Sequence, residues 1–213
     1  MKVIPVINCP DVACVRNKIA IAKTFLAEGS FLHLDVAGES FATYKTWADP
    51  LEWVKLRAPF SLEVHLMVEH PEERVDDWLA AGARRLIVHI ETVDRQSLHE
   101  IVSAAERYQT EVMISSKPES ISEELVPYFR QFAAFQVLAV QPGREGQKFL
   151  SFVTEKIRFL REELPDATIE VDGGMDPDAA LRVKEVGADM IVSSSYIFNA
   201  ADPKKAYEEL CAI

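Results

Sequence analysis

The sequence predicts a (β/α)₈ barrel, and three observations predict it. Short apolar runs alternate with longer amphipathic runs from one end to the other. Eight such units fit in the 213 residues, roughly 27 residues each, short but workable for this architecture. Strand-like runs such as LIVHI (Leu86–Ile90) and MIVSS (Met190–Ser194) show little alternation, as expected of parallel strands covered on both faces. An open doubly wound sheet has the same alternation and is the rival fold. No linker or low-complexity tract interrupts the chain, so one barrel domain over residues 1–213 is expected.

The elements follow in order. Val3–Asn8 reads as the first strand, and Asp11 as the cap of a helix reaching about Ala27, with Ile19, Ala22, Phe25 and Leu26 on one face. Phe31–Val36 is the second strand and Asp49–Leu56 a short helix. Leu62–Val68 is the third strand, followed by a helix over Pro71–Ala81 with proline in its first turn. Strand and helix then alternate as Arg85–Ile90 and Arg95–Tyr108, Glu111–Ser115 and Ser120–Arg130, Phe135–Val140 and Phe149–Glu163. The last two units are Thr168–Val171 with Pro177–Val186, and Met190–Ser194 with Pro203–Cys211. Gly29, Gly82 and Gly187 each follow a helical run, where a left-handed residue commonly ends a helix.

Composition narrows the function. Apolar residues make up 48% and charged residues 27%, enough to bury a core. With 34 acidic and 23 basic side chains the formal net charge is −11, which disfavours nucleic acid and anionic membrane as partners. A phosphate ester would therefore have to be held by local N–H groups and a helix dipole rather than by a basic surface. Cys9, Cys14 and Cys211 are odd in number and lack metal-ligand spacing, so free thiols in a reducing compartment are expected. No run reaches the 18 apolar residues of a membrane span, and the first residues carry no signal-peptide block, which points to the cytoplasm.

Polar residues inside strand-like runs need an account. His33 and Asp35 in FLHLDV, His65 in LEVHLMV and Asp172 in IEVDGG all fall near the carboxyl end of an expected strand. That rim carries the active site in barrels of this type. His33 and Asp35 are two apart and share a strand face, and the four can converge on one point. Two imidazoles and two carboxylates suit a single divalent ion, Zn²⁺, Fe²⁺, Mn²⁺ or Co²⁺. Alone, any of the four is more often a hydrogen-bonded structural residue; their joint placement carries the argument. His89 ends a strand too, and reads as a satisfied core histidine or as a partner behind the ligands, the first being preferred. Gly173 and Gly174, before a helix opened by Asp176 and Pro177, allow close backbone approach to an anion. Ser193, Ser194 and Ser195 end the eighth strand, beside the usual phosphate site of the fold. The loop Gln141–Gln147 can close over a ligand or serve as a plain connection.

Together HLDV (33–36), VHLMV (64–68), VHIE (88–91), VQPGREGQKF (140–149), VDGG (171–174), GAD (187–189) and SSSYIF (193–198) resemble the ribulose-phosphate 3-epimerases, in that family's order and over nearly the whole chain. The resemblance implies a ribulose-phosphate-binding (β/α)₈ barrel. It also implies interconversion of D-ribulose 5-phosphate and D-xylulose 5-phosphate through an enediolate. One metal ion, most simply Zn²⁺ or Fe²⁺, would be held by His33, Asp35, His65 and Asp172, with Asp35 and Asp172 as the acid–base pair. Substrate contacts are implied for Cys9, His65, Met67, Gly143, Arg144, Glu145, Gly146, Asp172, Gly173, Gly174, Ser194 and Ser195, and a homo-oligomer, dimer or hexamer, for the assembly.

The departures concern the substrate shell. Ala37-Gly38-Glu39 stands for the family's M-D-G, Leu138 for a methionine, and Cys9 for a serine. Arg144 and Glu145 stand in the middle of the G-F-G-G loop, Ser194-Ser195 replaces G-S, and Tyr196 replaces a small residue. Another ketose phosphate, such as a hexulose 6-phosphate, and a non-catalytic metal- or phosphosugar-binding barrel are therefore the alternatives. The related decarboxylases place lysine two residues after the aspartate, where this chain has Ala37.

Overall fold

A computed structural model describes residues 1–213. Eight parallel strands close into a barrel in sequence order: β1 (Lys2–Ile7), β2 (Phe31–Ala37), β3 (Ser61–Met67), β4 (Ala83–His89), β5 (Glu111–Ser116), β6 (Ala134–Leu138), β7 (Thr168–Asp172) and β8 (Met190–Ser193). β8 pairs with β1, which removes both sheet edges and excludes the open doubly wound alternative. The helices are α1 (Val12–Ala22), α2 (Pro50–Leu56), α3 (Glu72–Ala80), α4 (Arg95–Tyr108), α5 (Thr154–Glu163), α6 (Pro177–Glu185), α7 (Ser195–Phe198) and α8 (Pro203–Cys211).

Helix starts follow from side-chain chemistry. Asp11, Asp49, Asp94, Asp176 and Asp202 each accept a hydrogen bond from the backbone N–H three residues on. That satisfies one of the donors a helix leaves open, worth about 1 kcal/mol per cap. Three of the caps are followed directly by proline, whose missing N–H costs nothing there. Gly82 and Gly187 follow the last residues of α3 and α6 with positive φ, as expected.

Two helical expectations are corrected. The first helix ends at Ala22, not near Ala27, because the chain tightens to three-residue hydrogen bonds and the Thr24 hydroxyl takes the Ile21 carbonyl. Ser120–Arg130 is not an α-helix but a 3₁₀ segment over Ser122–Tyr128; Pro127 inside it has no N–H to give a carbonyl four residues back. The short α7, directly after β8, was not expected.

Side chains leave the strands in two directions. The outward set, including Leu32, Leu34, Val64, Leu66, Leu86, Val88, Ile114, Val137, Ile169 and Val171, packs under the helices in one cluster of 46 buried residues. The inward set is mixed. Ile4, Val6, Ile87, Met113, Ala134, Met190 and Val192 form an apolar cluster. Beside them the barrel interior carries a charged ladder. Arg85 Nη1 donates to Glu63 Oε2 at 2.5 Å, Arg85 Nε to Glu111 at 2.6 Å, and Glu63 Oε1 lies 2.6 Å from His33 Nδ1. Gln136 joins Ser115 to Glu170. Glu63, Arg85, Gln136 and Glu170 are buried, so each needs these partners.

Candidate active site

The period-two rule places the site. β2 aims His33 and Asp35 inward, β3 aims Glu63 and His65, and β7 aims Glu170 and Asp172, with Asp35 level with His65 across the β2–β3 ladder. The four expected ligand residues meet: the atoms of His33, Asp35, His65 and Asp172 that can bind a metal all lie within 4.8 Å of one another, and all four side chains are buried. His33 Nε2 is 3.1 Å from Asp35 Oδ1 and 4.0 Å from Asp172 Oδ2; His65 Nδ1 is 3.3 Å and 3.1 Å from the same two oxygens.

What points into this cluster is decided by what lies behind it. Glu63 accepts from His33 Nδ1, which turns the His33 Nε2 lone pair inward. His65 Nε2 lies 2.8 Å from His89 Nε2, and His89 Nδ1 lies 3.2 Å from Glu91. Burial holds the His89 pKa down to about 4, so it is neutral. With its Nδ1 proton on Glu91, it accepts from His65 Nε2–H. His65 Nδ1 then faces the Asp35 and Asp172 oxygens without hydrogen-bond geometry to either; burial would lower the His65 pKa, but these two carboxylates raise it above the ordinary value. Two imidazole nitrogens and two carboxylates converge here, a donor set in which a divalent cation would take the place of the protons that the carboxylates otherwise hold on the imidazoles. Burial alone would lower the His33 pKa, but its bonds to Asp35 and Glu63 and their charges hold it well above the ordinary value. Burial would likewise raise Asp35, yet the two imidazoles hold its carboxyl well below the usual range. His89 therefore backs the cluster through His65, rather than being only a satisfied core residue.

The cleft over the cluster is lined by Asp35, Met67, Leu138, Met175 and Asp172, by the loop Gln141–Gln147, and by Gly173, Gly174 and Ser193–Ser195. Of the residues expected to contact substrate, Met67, Gly143, Arg144, Glu145, Gly146, Asp172, Gly173, Gly174, Ser194 and Ser195 stand here. Gly173 and Gly174 must be glycine. Their φ values are 108° and 70°, and a Cβ would come within 2.4 Å of the Val140 side chain and 2.3 Å of the Phe149 backbone nitrogen. Neither glycine N–H is used in a backbone hydrogen bond. The N-terminus of α6, expected to help hold an anion, is closed by its own Asp176 cap. Arg144 lies with its guanidinium 5.3 Å from the centre of the Tyr44 ring.

Cys9 departs from expectation. Its sulfur is bonded to Cys14, so the chain has one free thiol, Cys211, not three. Residue 9 begins the turn into α1, which brings Cys14 back beside it, Cα to Cα 5.7 Å. Cys9 is buried and does not line the cleft; its neighbour Asn8 does. Asn8 Nδ2 donates to Asp35 Oδ2 and to the Gly143 carbonyl, both at 2.8 Å. Asn8 and Lys18, whose ammonium reaches Glu145 and Ser194, were missed from sequence.

Comparison with known proteins gives the family. The family model described as the Ribulose-phosphate 3 epimerase family matches residues 2–198. A ribulose-phosphate 3-epimerase of Chlamydia muridarum is 32% identical over 91% of this chain and 86% of its own length. One from Bacillus subtilis is 30% identical over 99% and 98%, and the cytoplasmic isoform from Oryza sativa is 32% identical over 84% and 80%. Among solved structures, a 3-hexulose-6-phosphate synthase superposes with TM-score 0.74 at 16% identity, over 100% of this chain and 99% of that one. KGPDC from Streptococcus mutans in complex with D-R5P gives 0.76 at 13%, over 99% and 95%; both likenesses concern the fold alone.

Fold, site and relatives define a barrel isomerase, an epimerase acting on carbohydrates. The two solved barrels are distant, whereas the family model accounts for almost every residue. The chain belongs to the ribulose-phosphate 3-epimerase family.

Proposed function

We propose that the protein interconverts D-ribulose 5-phosphate and D-xylulose 5-phosphate by proton transfer between two carboxylates, through an enediolate, with one divalent metal ion held by His33, Asp35, His65 and Asp172. The observation that carries the reading is the pair of buried carboxylates, Asp35 on β2 and Asp172 on β7, three strands apart around the barrel and both beside His65 Nδ1, at 3.3 and 3.1 Å. Epimerisation removes the proton alpha to a ketone from one face and returns a proton to the other; a carboxylate on each side does this without turning the substrate. Asp35 takes the C3 proton in one direction and Asp172 delivers one, and the roles exchange in reverse. When bound, the metal supplies Lewis-acid stabilisation of negative charge on the substrate oxygens. Asn8 fixes the rotation of Asp35 by holding its second oxygen. Met67, Leu138 and Met175 give the reacting carbons an apolar seat, and Gly143, Arg144, Gly146, Gly173, Gly174, Ser194 and Ser195 receive the phosphate end. The orphaned His65 Nδ1 supports the metal, and Zn²⁺ or Fe²⁺ suits the mixed donor set. A homo-oligomer and a cytoplasmic location belong to the same reading. The location is supported by the cytoplasmic isoform among the relatives, although the Cys9–Cys14 bond removes two of the free thiols from which a reducing compartment was expected; no helix is long and apolar enough to cross a membrane.

The test is a panel of ketose 5- and 6-phosphates incubated in D₂O with metal-loaded protein. Deuterium is expected at C3 of ribulose 5-phosphate and xylulose 5-phosphate. Asp35→Asn and Asp172→Asn should each abolish interconversion. Turnover of a hexulose phosphate with none of the pentulose would reject the substrate; undiminished turnover in either variant would reject the acid–base pair.

A further inference from the structure

Lys18 lies on the inward face of α1 with Val15, Ile19 and Ala22, and only 6% of it is exposed. A lysine buried on an apolar helix face needs a partner for its charge. Its ammonium lies over the Phe198 ring, Nζ 5.1 Å from the ring centre. Its ammonium donates to Glu145 Oε2 at 2.6 Å, to Ser194 Oγ at 3.0 Å and to the Asn8 carbonyl at 3.2 Å. Ser194 Oγ also lies 2.5 Å from Glu145 Oε2 and 2.9 Å from the Val6 carbonyl. One carboxylate oxygen thus takes the ammonium and lies within reach of a hydroxyl whose single proton it shares with the Val6 carbonyl.

These donors stand where an anion would be received. Glu145 and Ser194 line the cleft with Gly173 and Gly174, and Lys18 stands directly behind Glu145. The cleft's other cation, Arg144, lies over Tyr44. The chain as a whole carries a net charge of −11 and offers no general attraction for a phosphate. A carboxylate and a phosphoryl group want the same charge-assisted bonds, and the phosphoryl group has more negative charge and three oxygens to make them.

We propose that Lys18 is a further substrate-binding residue, which holds the substrate's phosphoryl group together with Ser194, and that Glu145 is a built-in competitor for the same two donors. The proposal rests on the phosphosugar reading above. Binding exchanges one anion for another on Lys18, and the loop carrying Glu145 moves aside as it happens. No isolated charge is left buried at either stage, because Glu145 is a third exposed and can be solvated when released.

The probe is inorganic phosphate, titrated calorimetrically into full-length metal-loaded protein at fixed pH and ionic strength, with kcat and KM for ribulose 5-phosphate measured alongside. Lys18→Met keeps the buried stem and should weaken phosphate roughly tenfold or more, raising KM more than it lowers kcat. Lys18→Arg should retain most of the affinity. Glu145→Gln should tighten phosphate by roughly threefold to tenfold, and should have no effect in a Lys18→Met background, since it acts through the lysine. Opposite signs for Lys18→Met and Glu145→Gln distinguish competition from a structural latch, for which both would weaken binding. Unchanged phosphate affinity in Lys18→Met, or weakened affinity in Glu145→Gln, overturns the proposal. If Lys18→Met fails to fold, Glu145→Gln alone decides by its sign. Absence of sugar-phosphate turnover with phosphate binding as described would reject the substrate and leave this site standing. Turnover with KM unaffected by Lys18→Met would do the reverse.

Discussion

Replacing Asn8 by alanine removes two hydrogen bonds and no charge, and the consequences can be worked through. The Asn8 amide donates one hydrogen to Asp35 Oδ2 and the other to the Gly143 carbonyl, each at 2.8 Å. Asp35 Oδ1 faces the two imidazoles, at 3.1 Å from His33 and 3.3 Å from His65. Asn8 is therefore what stops the carboxylate turning about its own axis. A hydrogen bond to a charged acceptor is worth about 1.5–3 kcal/mol. If all of it serves to orient the base, kcat/KM should fall roughly 10- to 150-fold, at about 1.4 kcal/mol per factor of ten. The lost bond to Gly143, between neutral groups and worth about 1 kcal/mol, should appear mainly as a raised KM, because it ties the loop to the barrel. The assay is initial-rate conversion of ribulose 5-phosphate in both directions, with thermal denaturation to establish that the variant is folded. Asn8→Asp, which sets a second carboxylate against Asp35, should lose more. A folded Asn8→Ala protein with kcat/KM within roughly threefold of the parent would refute the assignment of orienting energy to this bond.

Four further outcomes follow from the same geometry. Arg85→Met leaves Glu63 without its guanidinium partner, and should cost about 3–5 kcal/mol. Calorimetry should record this as a Tm lowered by roughly 6–20 °C, and Glu63→Gln in the same chain should recover part of it. Gly174→Ala forces a Cβ against the Phe149 backbone and should cost about 1–3 kcal/mol in denaturant unfolding; a neutral result would mean the loop is free to retreat. Chelation should abolish turnover, and Zn²⁺ or Fe²⁺ should restore it. Ion at 100 times Kd should raise stability by about 2.7 kcal/mol in the parent and not in His65→Ala. Burial and the neighbouring Glu63 push the Glu170 carboxyl up to about 8 from an ordinary value of 4.5, so the folded chain holds a proton that the unfolded one releases. That contribution is full below pH 4.5 and is lost as pH rises through about 8. Glu170→Gln should remove that slope from metal-free unfolding curves, and an unchanged slope would place the proton elsewhere.

Much of this molecule could be read from its residues, for identifiable reasons. Strands buried on both faces have to be continuously apolar, so LIVHI and MIVSS declared themselves. Asp-Pro pairs at 49, 176 and 202 mark helix starts because cap chemistry is local. His33, Asp35, His65 and Asp172 were visible because polar residues are out of place in such strands. The same period-two argument reaches Glu63 and Glu170, two residues before His65 and Asp172, Arg85, four before His89, and Asn8, which follows Ile4 and Val6 inward. Lys18 had its own signal, an ion on the helix face shared by Val15, Ile19 and Ala22. The Cys9–Cys14 bond was not legible, since it depends on how tightly the turn between them folds back. The 3₁₀ segment was hidden because helical periodicity and a mid-run proline compete, and the backbone decides between them.

The linkage between residues 9 and 14 has a practical corollary. Asn8 immediately precedes it, and Lys18 lies one turn of helix past it, so the two new contributors to the cleft hang from either side of one covalent loop. A preparation kept in dithiothreitol and one purified in air would be chemically different molecules at that loop. Kinetic constants gathered under the two regimes should not be pooled until the thiols have been counted.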